Sequence, residues 1–242
     1  MIRVNGLRKQ FGAVVAVNDV TFAAPNGAVT AVLGPNGAGK TTSLRMITGL
    51  LRPTDGAVDV DGIDPRRDPV GARRRLGVLP DGAGLYGRLT AFEHLQYAAR
   101  LAGLSGTEAR TAIDRVTQVF GLGALARRPV TGFSQGEQRR VALARAVIHD
   151  PPNVLLDEPT GALDVLAARA VRALVRQLAD CGHAVVITTH IMSEAEALSD
   201  RIVVIARGKV AAAGTPAELQ RATAAPTLEA AFIRLVGGEE LQ

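Results

Sequence analysis

The chain has 242 residues, 47% of them hydrophobic, with a formal net charge of +5 and a single cysteine, Cys181. That length suits one α/β domain or two small lobes on a shared core, and the apolar share excludes a disordered tail. No run reaches the about 18 unbroken apolar residues of a membrane-spanning helix. The N-terminus lacks an apolar leader segment, and one cysteine excludes an internal disulfide. The expectation is a soluble protein of a reducing, cytoplasmic compartment.

The 28 basic side chains are 25 arginines and three lysines, Lys9, Lys40 and Lys209. The arginines stand in dispersed pairs such as Arg66–Arg67, Arg127–Arg128 and Arg139–Arg140, with one triplet at Arg73, Arg74 and Arg75, and read as a solvated surface. Aromatic residues are 3% of the chain and tryptophan is absent, which leaves little from which to build base-stacking platforms. No nucleic-acid partner is expected.

In chain order, residues 28–33 (AVTAVL) predict a buried strand, followed at once by a glycine-rich turn and a helix through Met46. Residues 59–63 and 76–79 predict further strand pieces. From about Thr90 to Ile148 the periodicity is helical, with Leu95, Ala98 and Ala102 on one face and Ile113, Val116 and Phe120 on another. Strand signals return at residues 153–156, 183–187 and 201–205, with helices between them and a helical tail after about Thr215. Helix–strand alternation predicts parallel strands in an α/β core interrupted by a helical insertion.

Residues 34–41 (GPNGAGKT) match G-x-x-x-x-G-K-[ST] between a predicted strand and a predicted helix. Glycines let backbone N–H groups wrap closely around phosphate oxygens, and the helix that follows aims its positive end at the same anion. Lys40 is placed to reach β- and γ-phosphates and Thr41 to ligate Mg²⁺. This pattern predicts a nucleoside-triphosphate site. The Asn-Lys-x-Asp stretch of a GTPase is missing.

A second acidic feature narrows the chemistry. Residues 154–156 (VLL) predict a buried strand that stops at two adjacent acids, Asp157 and Glu158, as expected where an open α/β sheet binds ligands. Asp157 suits Mg²⁺, and Glu158 suits a general base on water. Further back, Ser134 occupies a helix N-cap position before a strongly helical run. With Gly136 it predicts a second anion site. One γ-phosphate cannot reach both this site and the phosphate loop of the same chain if a helical insertion separates them.

These motifs together resemble the ATP-binding subunit of ABC transporters over nearly the whole chain. Gly34, Pro35, Asn36, Gly37, Ala38, Gly39, Lys40, Thr41 and Thr42 resemble the Walker A loop, and residues 154–158 the Walker B strand. Residues 133–137, with Ser134, Gly136 and Glu137, resemble the LSGGQ signature, and residues 161–164 (GALD) the D-loop at the dimer seam. His190 resembles the histidine that touches the γ-phosphate, and Phe11 the aromatic that stacks on adenine. His94, His149 and His183 read as structural.

The resemblance implies an α/β P-loop NTPase (RecA-like) fold with a parallel-sheet core, an N-terminal antiparallel β subdomain and an inserted helical subdomain. It implies core segments of about 1–87 and 150–214, an insertion of about 88–149 and a tail of 215–242. The cofactors implied are ATP and Mg²⁺, with Glu158 and His190 catalytic. The partners implied are a membrane permease and a second ATPase copy, identical or paralogous, in a head-to-tail sandwich. The chain would then sit on the inner face of the cell membrane through its permease. Three positions depart from the pattern: Asp81 stands where the family usually has a glutamine near the metal, Gln135 where the signature has its first glycine, and Glu137 where the signature ends in glutamine. Residues 81–90 and 227–236 are similar to sodium-efflux (NatA-like) and drug-export (DrrA-like) ATPases, so the expectation is an exporter ATPase. The alternative is a non-transport ABC ATPase acting on ribosomes or nucleic acid.

Overall fold

In the computed structural model, which describes residues 1–82 and 84–237, the first 24 residues form a β-hairpin. Strand β1 (Ile2–Phe11) buries Ile2, Val4 and Leu7, and β2 (Val14–Ala24) buries Val17, Val20, Phe22 and Ala24. The period-2 pattern of β1 breaks at Gly6, which opposes a bulge around Asp19; both have positive φ, 58° and 68°. After β3 (Ala28–Leu33) and α1 (Lys40–Ile47), β4 (Asp55–Val60) returns to the free edge of β1, giving an antiparallel sheet in the order β2-β1-β4. The strand predicted at 59–63 is therefore shifted. It starts four residues earlier and stops at Val60, because Asp61 and Gly62 take φ of 50° and 84° and turn the chain back to Ile63.

The remaining elements follow as α2 (Pro69–Arg74), β5 (Leu76–Leu79), α3 (Ala91–Leu101), α4 (Gly106–Val119), α5 (Gln135–Ala146), β6 (Asn153–Asp157), α6 (Val165–Asp180), β7 (Ala184–Thr189), α7 (Met192–Leu198), β8 (Arg201–Ala206), β9 (Lys209–Gly214), α8 (Pro216–Ala222) and α9 (Leu228–Gly237). The main sheet runs β5-β6-β7-β3-β8-β9. Its first five strands are parallel, and β6 and β7 are buried along their whole length, as expected of strands covered on both faces. The edge strand β9 is not among the strands predicted from the sequence, and it breaks the parallel order. It is joined to β8 by the two-residue turn Arg207–Gly208, with φ of 49° and 76°, and so tight a connection makes the pair antiparallel.

Alternate side chains of β3 enter two cores. Val29, Ala31 and Leu33 enter the larger core on the side of α6 and α7, while Val32 enters the core shared with α1 and the antiparallel sheet. Helices α3 and α5 each begin with a reciprocal cap, Thr90 with Glu93 and Ser134 with Glu137. Helix α3 buries Ala91, His94, Leu95 and Ala99, so Ala98 and Ala102 of the predicted face are only half-buried; Ile113, Val116 and Phe120 are buried as predicted. The parallel sheet brings the C-terminal ends of β3, β6 and β7 side by side, and the loops leaving them form one edge.

Candidate nucleotide site

The loop between β3 and α1 is clamped from outside its own segment. A Cβ on Gly34 would stand 2.3 Å from the Ile205 carbonyl oxygen, and one on Gly39 2.7 Å from that of Ala16. Gly39 also takes φ of 104°, which disfavours any other residue before the helix. Lys40 is buried, and its ammonium donates to the carbonyls of Gly34 (2.8 Å) and Pro35 (3.1 Å). Burial lowers its pKa below the ordinary lysine value, while Glu158 and Asp157 oppose that shift.

Asp157 ends β6 and is buried, accepting from the Thr188 hydroxyl at the end of β7. The same threonine accepts from the Glu158 N–H at 3.0 Å, so one hydroxyl fixes both acids. Glu158 has φ of 47°, an unusual backbone for a non-glycine residue, which turns the chain sharply after the strand. Its Oε1 lies 2.9 Å from Nδ1 of His190; a carboxylate accepts, so Nδ1 carries the proton and the second ring nitrogen is left for another partner.

A cleft of about 260 Å³ gathers Asn36, Gly37, Gly39, Lys40, Thr41, Thr42, Asp81, Asp157 and Glu158, with Ala16 of β2 closing one side. The Thr41 hydroxyl and the carboxylates of Asp157 and Asp81 are the hard oxygen donors that suit Mg²⁺. Other sequence-predicted residues lie outside its wall. Gly34 and Pro35 hold Lys40 through their carbonyls, and Ala38 is buried in the core. Phe11 is exposed at the hairpin end, with the Lys9 ammonium 5.0 Å from its ring centre.

Ser134, Gly136 and Glu137 line a separate cavity of about 320 Å³ with Arg140, Ala167 and Ala170, sharing no residue with the cleft. The Glu137 carboxylate is turned back onto the Ser134 N–H (2.8 Å), and Ser134 Oγ accepts from the Glu137 N–H (3.2 Å). Gly136 lets α5 approach α6, since a Cβ there would stand 2.7 Å from that of Ala167. Gly136→Ala is expected to cost about 1–3 kcal/mol through overpacking, read as a lowered Tm, with much of it restored by Ala167→Gly. An unchanged Tm would show that the two helices yield freely.

Two contributors are not apparent from the sequence. Thr188 is one; its signal is the polar end of an otherwise apolar strand. Arg139 is the other, since it is 8% exposed rather than part of a solvated surface, and its Nη1 has no hydrogen-bond partner. Burial lowers its pKa, while the charges of Asp81 and Glu158 act to raise it, so this cation sits in the field of the cleft acids. Of the remaining histidines, His94 is buried with Nε2 3.1 Å from the Tyr86 carbonyl, His149 is held below its ordinary pKa by burial, and His183 Nδ1 lies 2.6 Å from the Pro151 carbonyl.

A phosphate loop between strand and helix, facing two acids at the end of a parallel strand one place removed in the sheet, defines a P-loop nucleoside triphosphatase. The ABC transporter family model matches residues 17–161. The ABC transporter ATP-binding protein NatA of Bacillus subtilis is 41% identical over 227 residues, covering 93% of this chain and 92% of NatA. The daunorubicin/doxorubicin resistance ATP-binding protein DrrA of Streptomyces peucetius is 39% identical over 219 residues, 90% of this chain and 66% of DrrA. Among solved structures, an ATP-binding subunit of an ABC transporter superposes with a TM-score of 0.88 at 31% identity, covering 97% of this chain and 99% of that one. A dimeric bacterial ABC transporter cassette superposes with a TM-score of 0.79 at 29% identity, covering 89% and 98%. The chain belongs to the ABC transporter family, as an ATP-binding and ATP-hydrolysing component.

Proposed function

We propose that this chain binds Mg-ATP in the cleft of Lys40 and hydrolyses it across a dimer to drive a separate membrane permease. The observation that carries the reading is the convergence of Lys40, Thr41, Asp81, Asp157 and Glu158 on one cleft, while Ser134 and Gly136 open into another. Two half-sites on different surfaces of one chain suit a head-to-tail sandwich, in which the Ser134 surface of one copy covers the phosphates held by the other.

In this reading the loop N–H groups and Lys40 cradle the β- and γ-phosphates, and Phe11 stacks on the base. Thr41, Asp157 and Asp81 would hold Mg²⁺, which supplies charge neutralisation on the phosphate oxygens. Glu158 accepts a proton from water as the water oxygen bonds to the γ-phosphorus. The bond from that phosphorus to the β–γ bridging oxygen breaks, and its electron pair leaves with ADP. His190, held through Nδ1 by Glu158, presents its other nitrogen to the γ-phosphate.

The permease would dock on a groove of about 700 Å³ between α2 and α3, where Val70, Tyr86, Tyr97 and Leu101 are exposed beside Arg73 and Arg74. No helix among the described residues is long and apolar enough to cross a membrane, so any spanning element of the transporter would come from another segment or chain. We read the transporter as an exporter of sodium ions or drug-like molecules from the resemblance of residues 81–90 and 227–236, with this chain on the cytoplasmic face; similarity to the drug-resistance protein DrrA is in keeping with that reading.

The test is ATP turnover by the purified chain with Mg²⁺ across a range of protein concentrations. A sandwich site predicts a rate that rises with the square of concentration while monomer predominates. A strictly linear rate would overturn the two-chain site, and absence of turnover the hydrolytic role.

A further inference from the structure

Behind the cleft lies a buried carboxylate that neither the phosphate loop nor the acid pair accounts for. Glu194, the third residue of α7, is 2% exposed. One of its oxygens takes the Thr160 hydroxyl at 2.5 Å and the other the Thr189 hydroxyl at 2.6 Å. Thr189 Oγ1 in turn accepts from the Ile191 N–H at 3.0 Å. Thr160 lies in the turn that Glu158 begins, closed by the Gly161 N–H on the Glu158 carbonyl at 3.1 Å. Thr189 is the residue before His190. The bonds therefore form a ring: Glu158 to Thr160 through the turn, Thr160 to Glu194, Glu194 to Thr189, Thr189 to His190 along the chain, and His190 back to Glu158 at 2.9 Å.

A buried carboxylate is costly unless it is hydrogen-bonded, and bonds to an ionised acceptor are stronger than neutral ones. Here that strength links two loops leaving different strands. We propose that Glu194 is a positioning residue that locks the Glu158 turn to the His190 turn, so that general base and histidine keep their mutual geometry when the adjoining 161–164 segment is displaced. Glu194 lines neither the cleft nor the Ser134 cavity, so its effect reaches the reaction only through Glu158 and His190. The inference rests on the hydrolytic reading above.

The test uses the full chain with Mg-ATP and reads kcat, ATP Kd and Tm separately. Glu194→Ala is expected to lower kcat at least tenfold with Kd within about threefold of wild type. Thr160→Val is expected to lower kcat severalfold, Thr160→Ser to restore it, and Thr160→Val to add nothing once Glu194 is alanine. In a Glu158→Gln background, Glu194→Ala is expected to leave the residual single-turnover rate unchanged, which a general loss of packing would not do. Equal fold-losses with and without Glu158, or a fall in Tm and ATP affinity at unchanged kcat, would overturn the proposal. Should Glu194→Ala fail to fold, Thr160→Val and Thr189→Val take its place: a lowered kcat in either supports the link, and unchanged kcat in both overturns it. A wild-type chain without turnover sinks the hydrolytic reading itself, whereas wild-type turnover beside variants of unchanged kcat sinks only the Glu194 link.

Discussion

Glu158→Gln is expected to lower kcat by about 10²–10⁴-fold, the usual contribution of a positioned general base, with ATP affinity within about threefold of wild type. The substitution isolates proton transfer because little else changes. Glutamine has the same length, its amide oxygen still accepts from His190 Nδ1, and the backbone turn is anchored through the Glu158 N–H on Thr188, which any residue retains. The left-handed φ of 47° is no easier or harder for glutamine, so stability is expected to hold. If Mg-ATP then bridges two chains without being hydrolysed, the variant is expected to elute as an ATP-dependent dimer in gel filtration. Turnover within threefold of wild type would move the base to another residue.

Lys40→Met is expected to weaken ATP binding at least about 100-fold, a loss of roughly 2.7 kcal/mol, measurable by titration calorimetry. A lysine held against phosphate contributes a charge-assisted bond that a thioether cannot replace. Stability is expected to move the other way or not at all. The ammonium is buried and its pKa is lowered by that burial, so folding the chain carries a desolvation cost that methionine avoids. Against this stand two loop carbonyls, Gly34 and Pro35, that lose a donor. The expected pattern is thus binding lost and Tm changed by a few degrees at most. A Tm collapse would recast Lys40 as a structural residue.

The parts of the molecule most legible in the sequence are those where local chemistry and fold coincide. The β3 boundaries follow from a largely apolar, β-branched run ended by glycine, and Asp157 closes β6 because a carboxylate ends the apolar run 154–156. The hairpin of β1 and β2 is hard to read because the Gly6–Asp19 bulge breaks the alternation that marks a strand. The antiparallel turn of β9 is written in Arg207–Gly208, but the preceding strands establish a parallel habit that sequence order alone does not cancel. Burial of Arg139 is illegible for a different reason. Nothing local distinguishes it from its exposed counterparts; only the tertiary placement of α5 against the cleft acids does. Glu194 likewise reads as a surface acid in a short helix, since one hydroxyl partner, Thr160, comes from a distant loop and the other, Thr189, from the end of β7.

The clamp around the phosphate loop bears on the order in which the protein is made. The loop is complete once residue 41 has been synthesised, yet its curvature is set by the Ile205 carbonyl against Gly34 and by the Gly208 N–H on the Ala38 carbonyl at 3.1 Å. A chain that has emerged as far as residue 200 contains every residue lining the cleft and the Ser134 cavity and lacks the carbonyl wall that packs on the loop. A chain ending at residue 200 is therefore expected to bind ATP more weakly than the full chain in a calorimetric titration. The phosphate loop is thus translated long before the strands against which it packs.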